Sequence, residues 1–189
     1  YKRQDVTLLP TYLPHFLDEE DASPHQPIFF GGINVYLQHK FSLFRHTPQW
    51  IDKAFDSKWL LRKAAARSGM TSSKDLGEIT LSTFRGEDGP LVKEVNKVLT
   101  WFKVQGSPDY LFLSTIMLAG IGKVLKRELN IPVFGFLQGE DSFLDSLLPE
   151  YRVEAWKLLS QDVALLDGCI APSKYLSLIH ISEPTRRTI

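Results

Sequence analysis

The chain has 189 residues, 43% of them apolar and 23% charged, the composition of an ordinary globular protein of one domain or of one half of something larger. Its 22 basic and 22 acidic residues cancel, so the positive excess that a general nucleic-acid binder carries is missing and no nucleic-acid partner is expected. The single cysteine, Cys169, excludes an internal disulfide framework and a cysteine-based zinc cluster, and no apolar stretch approaches the roughly 20 residues that span a bilayer. A reducing, cytoplasmic setting is the expectation.

Residues 5–9 (DVTLL) form the first of four short apolar runs, the others being 110–114 (YLFLS), 132–137 (PVFGFL) and 168–171 (GCIA). Runs of this length, rich in β-branched and aromatic residues and separated by helix-length segments, predict buried parallel strands joined by helical crossovers. After the first run, residues 10–27 carry Pro10, Pro14, Pro24 and Pro27 with an acidic knot at 18–21, the pattern of a long loop. Residues 28–38 then place Gly31 and Gly32 inside an aromatic run, with Asn34 close behind. Adjacent glycines let a backbone approach a phosphate or a sugar; a bulge or hairpin turn explains the pair equally well. The surrounding residues form neither a dinucleotide fingerprint nor a P-loop.

Thr47 before Pro48 is a helix start, and from 41 to 89 the pattern is helical without a strand signal. That stretch reads as a helical insertion covering the sheet or its site. Val92, Val95, Val98, Leu99 and Phe102 make the apolar stripe of a helix leading into the second strand. Residues 118–129 and 153–166 supply the next two crossovers. Cys169, inside the fourth run, is most simply a buried small residue.

In a parallel sheet, ligands sit beyond the carboxyl ends of the strands. Gln138, Gly139, Glu140 and Asp141 follow the third run, Ser114 ends the second, and Ser173 follows the fourth. Carboxylates there accept hydrogen bonds from hydroxyls or act as bases, and Gln138 both donates and accepts. Asp141 or Ser142 would also cap a helix over 142–148, and Ser114-Thr115 would cap the helix after the second strand, so capping competes with ligand binding. His15, His25, His39 and His46 show no ligand spacing, and no metal is expected.

Residues 2–10 (KRQDVTLLP), 108–114 (PDYLFLS), 130–141 (NIPVFGFLQGED) and 167–176 (DGCIAPSKYL) together resemble the N-terminal half of a family 4 glycosyltransferase. The last two stretches carry most of the likeness, and 29–38 looks like a subgroup signature. The resemblance implies the GT-B architecture: two Rossmann-like domains, the first mostly binding the acceptor and the second the nucleotide-sugar donor. It implies transfer with retention, without a metal or other cofactor, to a glycan, lipid or small metabolite. Gln138, Gly139, Glu140, Asp141, Asn34 and Ser114 would bind substrate, with Gly31, Gly32 and Ser173 on loops near the cleft. Gln138 stands where that family often has His, so the resemblance transfers no catalytic role to it. A peripheral contact with the inner face of the membrane is a further expectation. The competing possibility is a non-catalytic Rossmann-like ligand-binding or regulatory domain.

Both ends look cut. The front reads as the end of a helix turning into a strand, as if an earlier strand–helix unit preceded it. Residues 176–186 (LSLIHISEPTR) match the conceptual translation of a transposase adapter used in sequencing libraries, so 176–189 reads as a non-native tail behind an incomplete 1–175 domain. On this basis the fragment alone is expected to transfer no sugar, because donor and acceptor must be held together.

Overall fold

A computed structural model describes residues 5–9, Thr11, 72–174 and Leu176; the chain forms two compact units, Tyr1–Met70 and Thr71–Ile189. In the first unit residues 5–9, expected to be a strand, take no strand conformation, and Val6 and Leu8 are 77% and 58% exposed. An apolar run becomes a strand only where a neighbour completes its hydrogen bonds and covers its side chains, and here Val6 and Leu8 remain open to solvent. The described helices and strands belong to the second unit.

Helix α1 (Ser73–Arg85) is the described part of the expected helical insertion; residues 41–71 lie outside the described residues. Ser72 caps it, accepting the Asp75 N–H at 3.1 Å, and Gly86 ends it at a φ of 56°. Its buried Thr80, Ser82 and Thr83 hydroxyls donate to the carbonyls of Leu76, Glu78 and Ile79 at 2.8–3.0 Å, so none of the three is stranded. A short 3₁₀ turn, Gly86–Asp88, leads to α2 (Val92–Gln105), which buries Val95, Val98, Leu99 and Phe102 of the expected stripe and leaves Val92 half-buried.

The strands follow: β1 (Leu111–Leu113), β2 (Val133–Phe136) and β3 (Gly168–Ile170), pairing in parallel in the order β1-β2-β3. Among the described residues the chain is therefore a mixed α/β structure around a three-stranded parallel sheet. α3 (Ala119–Leu129) joins β1 to β2, while α4 (Glu140–Ser146) and α5 (Pro149–Val163) join β2 to β3. α3 ends at Asn130, in the left-handed region with φ 52°. α5 starts on Pro149, where the missing N–H costs nothing.

α3 and α5 pack on each other and α1 packs on both, so the two crossovers share one face of the sheet. Leu113 and Val133 point into that layer beneath α3, with Phe84, Val124, Leu144 and Leu159 also sealed from solvent. The opposite face differs from the expectation of buried strands. Phe112 stacks on Phe134 with ring centroids 5.5 Å apart, Tyr110 and Phe136 flank them, and Phe112 and Tyr110 are 54% and 59% exposed. The period of two sends alternate side chains to opposite faces, and the described helices cover one face.

Charged contacts tie the layer together. Asp162, only 3% exposed, accepts from Lys123 Nζ at 2.8 Å through Oδ1, while its Oδ2 has no hydrogen-bond partner among the described residues. Burial pushes the Asp162 carboxyl up, against the pull of Lys123 and with help from Asp88. Arg127 on α3 grips Glu87 with Nη1 and Nη2 at 2.6 and 2.8 Å, an exposed pair that water screens. At the amino end of β2, the Asp167 carboxylate accepts from the Val133 N–H at 2.8 Å and from Lys126 Nζ at 2.9 Å. These two bonds, the backbone one first, hold Asp167 below the ordinary value of 3.8.

Two measurements check this packing. A methyl group on Gly120 would fall on the Phe84 carbonyl, which is backbone and cannot swing aside. Gly120→Ala should therefore cost about 3 kcal/mol, seen as a lower urea midpoint for this unit; an unchanged midpoint would mean that α3 does not bear on α1. Asp167 is depressed on folding, so its contribution is present above 3.8 and is lost as pH falls through the folded value. Asp167→Asn should lower stability at neutral pH, and its gap to wild type should close in unfolding curves taken below pH 3.8; a gap independent of pH would contradict this.

Candidate functional site

Because β1 and β2 run the same way, the residues just past their last rungs meet at one edge. Leu113 pairs in register with Gly135, and the chain then continues as Ser114-Thr115 from one strand and Leu137-Gln138-Gly139 from the other. The Gln138 amide Nε2 donates to the Ser114 carbonyl at 2.5 Å. The Glu140 carboxylate accepts from the Thr115 hydroxyl at 2.5 Å with Oε1 and from the Gln138 N–H at 2.8 Å with Oε2. Thr115 Oγ1 also accepts the Met117 N–H at 3.2 Å, which caps the 3₁₀ turn Ile116–Leu118 before α3.

Gly139 makes this arrangement possible. Its φ of 82° is in the left-handed region, where a side chain is strained, and it turns the chain from β2 directly into α4. Glu140 is thereby folded inward and left 5% exposed, whereas Gln138 is exposed and Asp141 half-buried. The Asp141 carboxylate makes no hydrogen bond or ion pair among the described residues. Its Oδ1 lies 3.8 Å from where a Cβ on Gly139 would sit.

Of the residues singled out in the sequence, Ser114, Gln138, Gly139 and Glu140 come together in one hydrogen-bonded rim, with Asp141 beside it. Ser173 is exposed, and its Oγ accepts the Leu176 N–H at 3.2 Å. Leu176 approaches within 3.7 Å of the Cβ position on Gly139, so the segment after β3 borders the same turn. Of the expected tail only Leu176 is described; Gly31, Gly32 and Asn34 lie outside the described residues. Thr115, whose hydroxyl was expected either to face the cleft or, more readily, to cap the next helix, joins the rim and caps as well. The signal was available: it stands just beyond one parallel strand, as Glu140 does beyond the next.

Cys169 is a correction: expected to be buried, it is exposed. β3 stands at the end of the described ladder, and an edge strand has a neighbour on one side only to shield its side chains. Residual burial pushes the Cys169 thiol up, and the negative charge of Glu140 adds to the effect. The carboxyl edge is thus acidic, with two carboxylates in the first turn of α4. A shallow basin at the amino edge is lined by Lys123, Lys126, Arg127, Asn130 and Asp167. Its cations already face Asp162, Asp167 and Glu87, so it offers little to an anion.

Among the described residues no group of three or more His, Cys, Asp and Glu is placed to hold a metal ion, and no helix is long and apolar enough to cross a membrane. No family model, no curated protein and no solved structure matches the chain.

The electrostatic link between rim and thiol is measurable. A carboxylate beside a thiol disfavours the thiolate, so Glu140→Gln should lower the pH at which Cys169 becomes reactive. Because burial persists in the variant, the midpoint should stay above the ordinary thiol value of 9.0. The pH profile of iodoacetamide alkylation, followed by mass spectrometry, reads this directly on the single cysteine. Identical profiles for wild type and variant would separate the two groups.

Proposed function

We propose that this chain carries the acceptor-side, Rossmann-like part of a retaining GT-B glycosyltransferase, which moves a sugar from a nucleotide-sugar to a glycan, lipid or small-molecule acceptor. The observation that carries the proposal is the convergence of Ser114, Thr115 and Gln138–Asp141 at the carboxyl edge of a parallel sheet, where ligands of such sheets bind. Consecutive parallel strands with helical crossovers are the building unit of that architecture. The stretches 130–141 and 167–176 that resemble family 4 enzymes run through β2 and β3 and end at this edge.

The chemistry follows from what the rim leaves available. A sugar or polyol acceptor presents hydroxyl donors, and the Asp141 carboxylate and the Gln138 carbonyl oxygen are acceptors at an accessible position. Accepting a hydroxyl proton at Asp141 would orient that oxygen and raise its electron density before transfer. The nucleotide-sugar would be held by a second α/β domain, and closing the two together supplies the proximity on which the rate depends.

The test uses protein that contains both halves. Asp141→Asn should lower sugar transfer about tenfold or more, the scale of a lost hydrogen bond to a charged group, with the circular dichroism spectrum unchanged. Unaltered kinetics would remove Asp141 from the site. Sugar binding without any consumption of nucleotide-sugar would favour a non-catalytic ligand-binding domain.

A further inference from the structure

We infer that Glu140 is a positioning residue that locks the end of β1 to the end of β2, and that Asp141 alone of the acidic pair is left to meet a ligand. The lock follows from geometry; its purpose rests on the site proposed above.

Glu140 has the wrong surroundings for a ligand-binding carboxylate. It is 5% exposed, and its two oxygens accept from groups just past the ends of different strands, the Thr115 hydroxyl and the Gln138 N–H. A buried carboxylate is tolerated only when such bonds replace its hydration, and bonds to an ionised acceptor are the stronger kind. Diverting Glu140 to a ligand would strand both donors. The Thr115 hydroxyl has no freedom either. It accepts the Met117 N–H on one side, and because a carboxylate cannot donate, it must give its own hydrogen to Glu140.

The consequence reaches the neighbouring groups. Beyond the rung Leu113–Gly135 the ladder between β1 and β2 is continued by side chains: Thr115 to Glu140, Glu140 to the Gln138 backbone, and the Gln138 amide to the Ser114 carbonyl. Holding the Gln138 backbone sets where its amide can reach, and holding Glu140 sets the first turn of α4, on which Asp141 is the next residue. Two adjacent acids therefore have opposite roles, one turned in and one left without a partner among the described residues.

Amide hydrogen exchange in the full chain, followed by NMR, tests the lock without any assumption about a substrate. Glu140→Gln and Thr115→Val should each speed exchange of the Gln138 N–H about tenfold or more. Amides in α3 and α5, such as those of Val124 and Leu159, should keep their wild-type rates. Thr115→Ser retains the hydroxyl and should restore slow exchange, and Asp141→Asn should leave it untouched. Unchanged Gln138 exchange in Glu140→Gln and Thr115→Val would overturn the lock. So would a uniform rise across all amides, which would make Glu140 a general stabiliser, or failure of Thr115→Ser to rescue. An effect of Asp141→Asn as large as that of Glu140→Gln would overturn the division of roles. A responsive Gln138 amide alongside normal transfer by Asp141→Asn would instead sink the proposed site and leave the lock standing.

Discussion

Two backbones touch where α1 ends and α3 begins, and the helix side of the sheet depends on that contact. Gly120 faces the Phe84 carbonyl, and Gly86 faces the carbonyl of Gly120 in return. Neither place has room for a side chain, so the helices approach more closely than side-chain packing allows. α3 is thereby seated low enough to cover Leu113 and Val133, the inward residues of β1 and β2. Because α3 is also the crossover between those strands, the same contact governs how they lie side by side.

Parallel pairing then turns separation in sequence into proximity. Thr115 and Glu140 are 25 residues apart along the chain and share a hydrogen bond because each stands just past the end of its strand. The two edges of the sheet acquire opposite character. At the amino edge, the cations of α3 are consumed by Asp162, Asp167 and Glu87, which makes that end structural. At the carboxyl edge, Asp141 and Gln138 retain accepting capacity. The chemistry available to the molecule is concentrated at the end where the chain makes its turns.

Much of this was legible in the residues. The runs at 110–114, 132–137 and 168–171 became β1, β2 and β3 with ends moved by at most about a residue, since short apolar runs between helix-length segments have few other uses. The stripe from Val95 to Phe102 was read correctly because helical spacing is a local property. What failed depended on neighbours. Residues 5–9 have strand composition, yet composition supplies no hydrogen-bonding partner. Cys169 is apolar in context but lies on β3, at the end of the described ladder, and strand order cannot be seen in a list of residues. The carboxyl-edge cluster was found from topology alone; that Glu140 turns inward while Asp141 does not is decided by the left-handed turn at Gly139 and the hydroxyl of Thr115. Those are properties of three-dimensional placement.

The Asp162 carboxylate has a different implication, for how much more stable this fold could become. One of its oxygens is buried with no partner among the described residues, and burial raises its pKa. A carboxyl with a raised pKa favours the folded state most when protonated, and that advantage disappears as pH rises. At neutral pH the α3–α5 seam therefore works against a desolvated charge that Lys123 only partly offsets. Buried ion pairs of this kind are often matched or bettered by apolar side chains of similar volume. The seam is thus a reserve of untapped stability, held in the Lys123–Asp162 contact between α3 and α5.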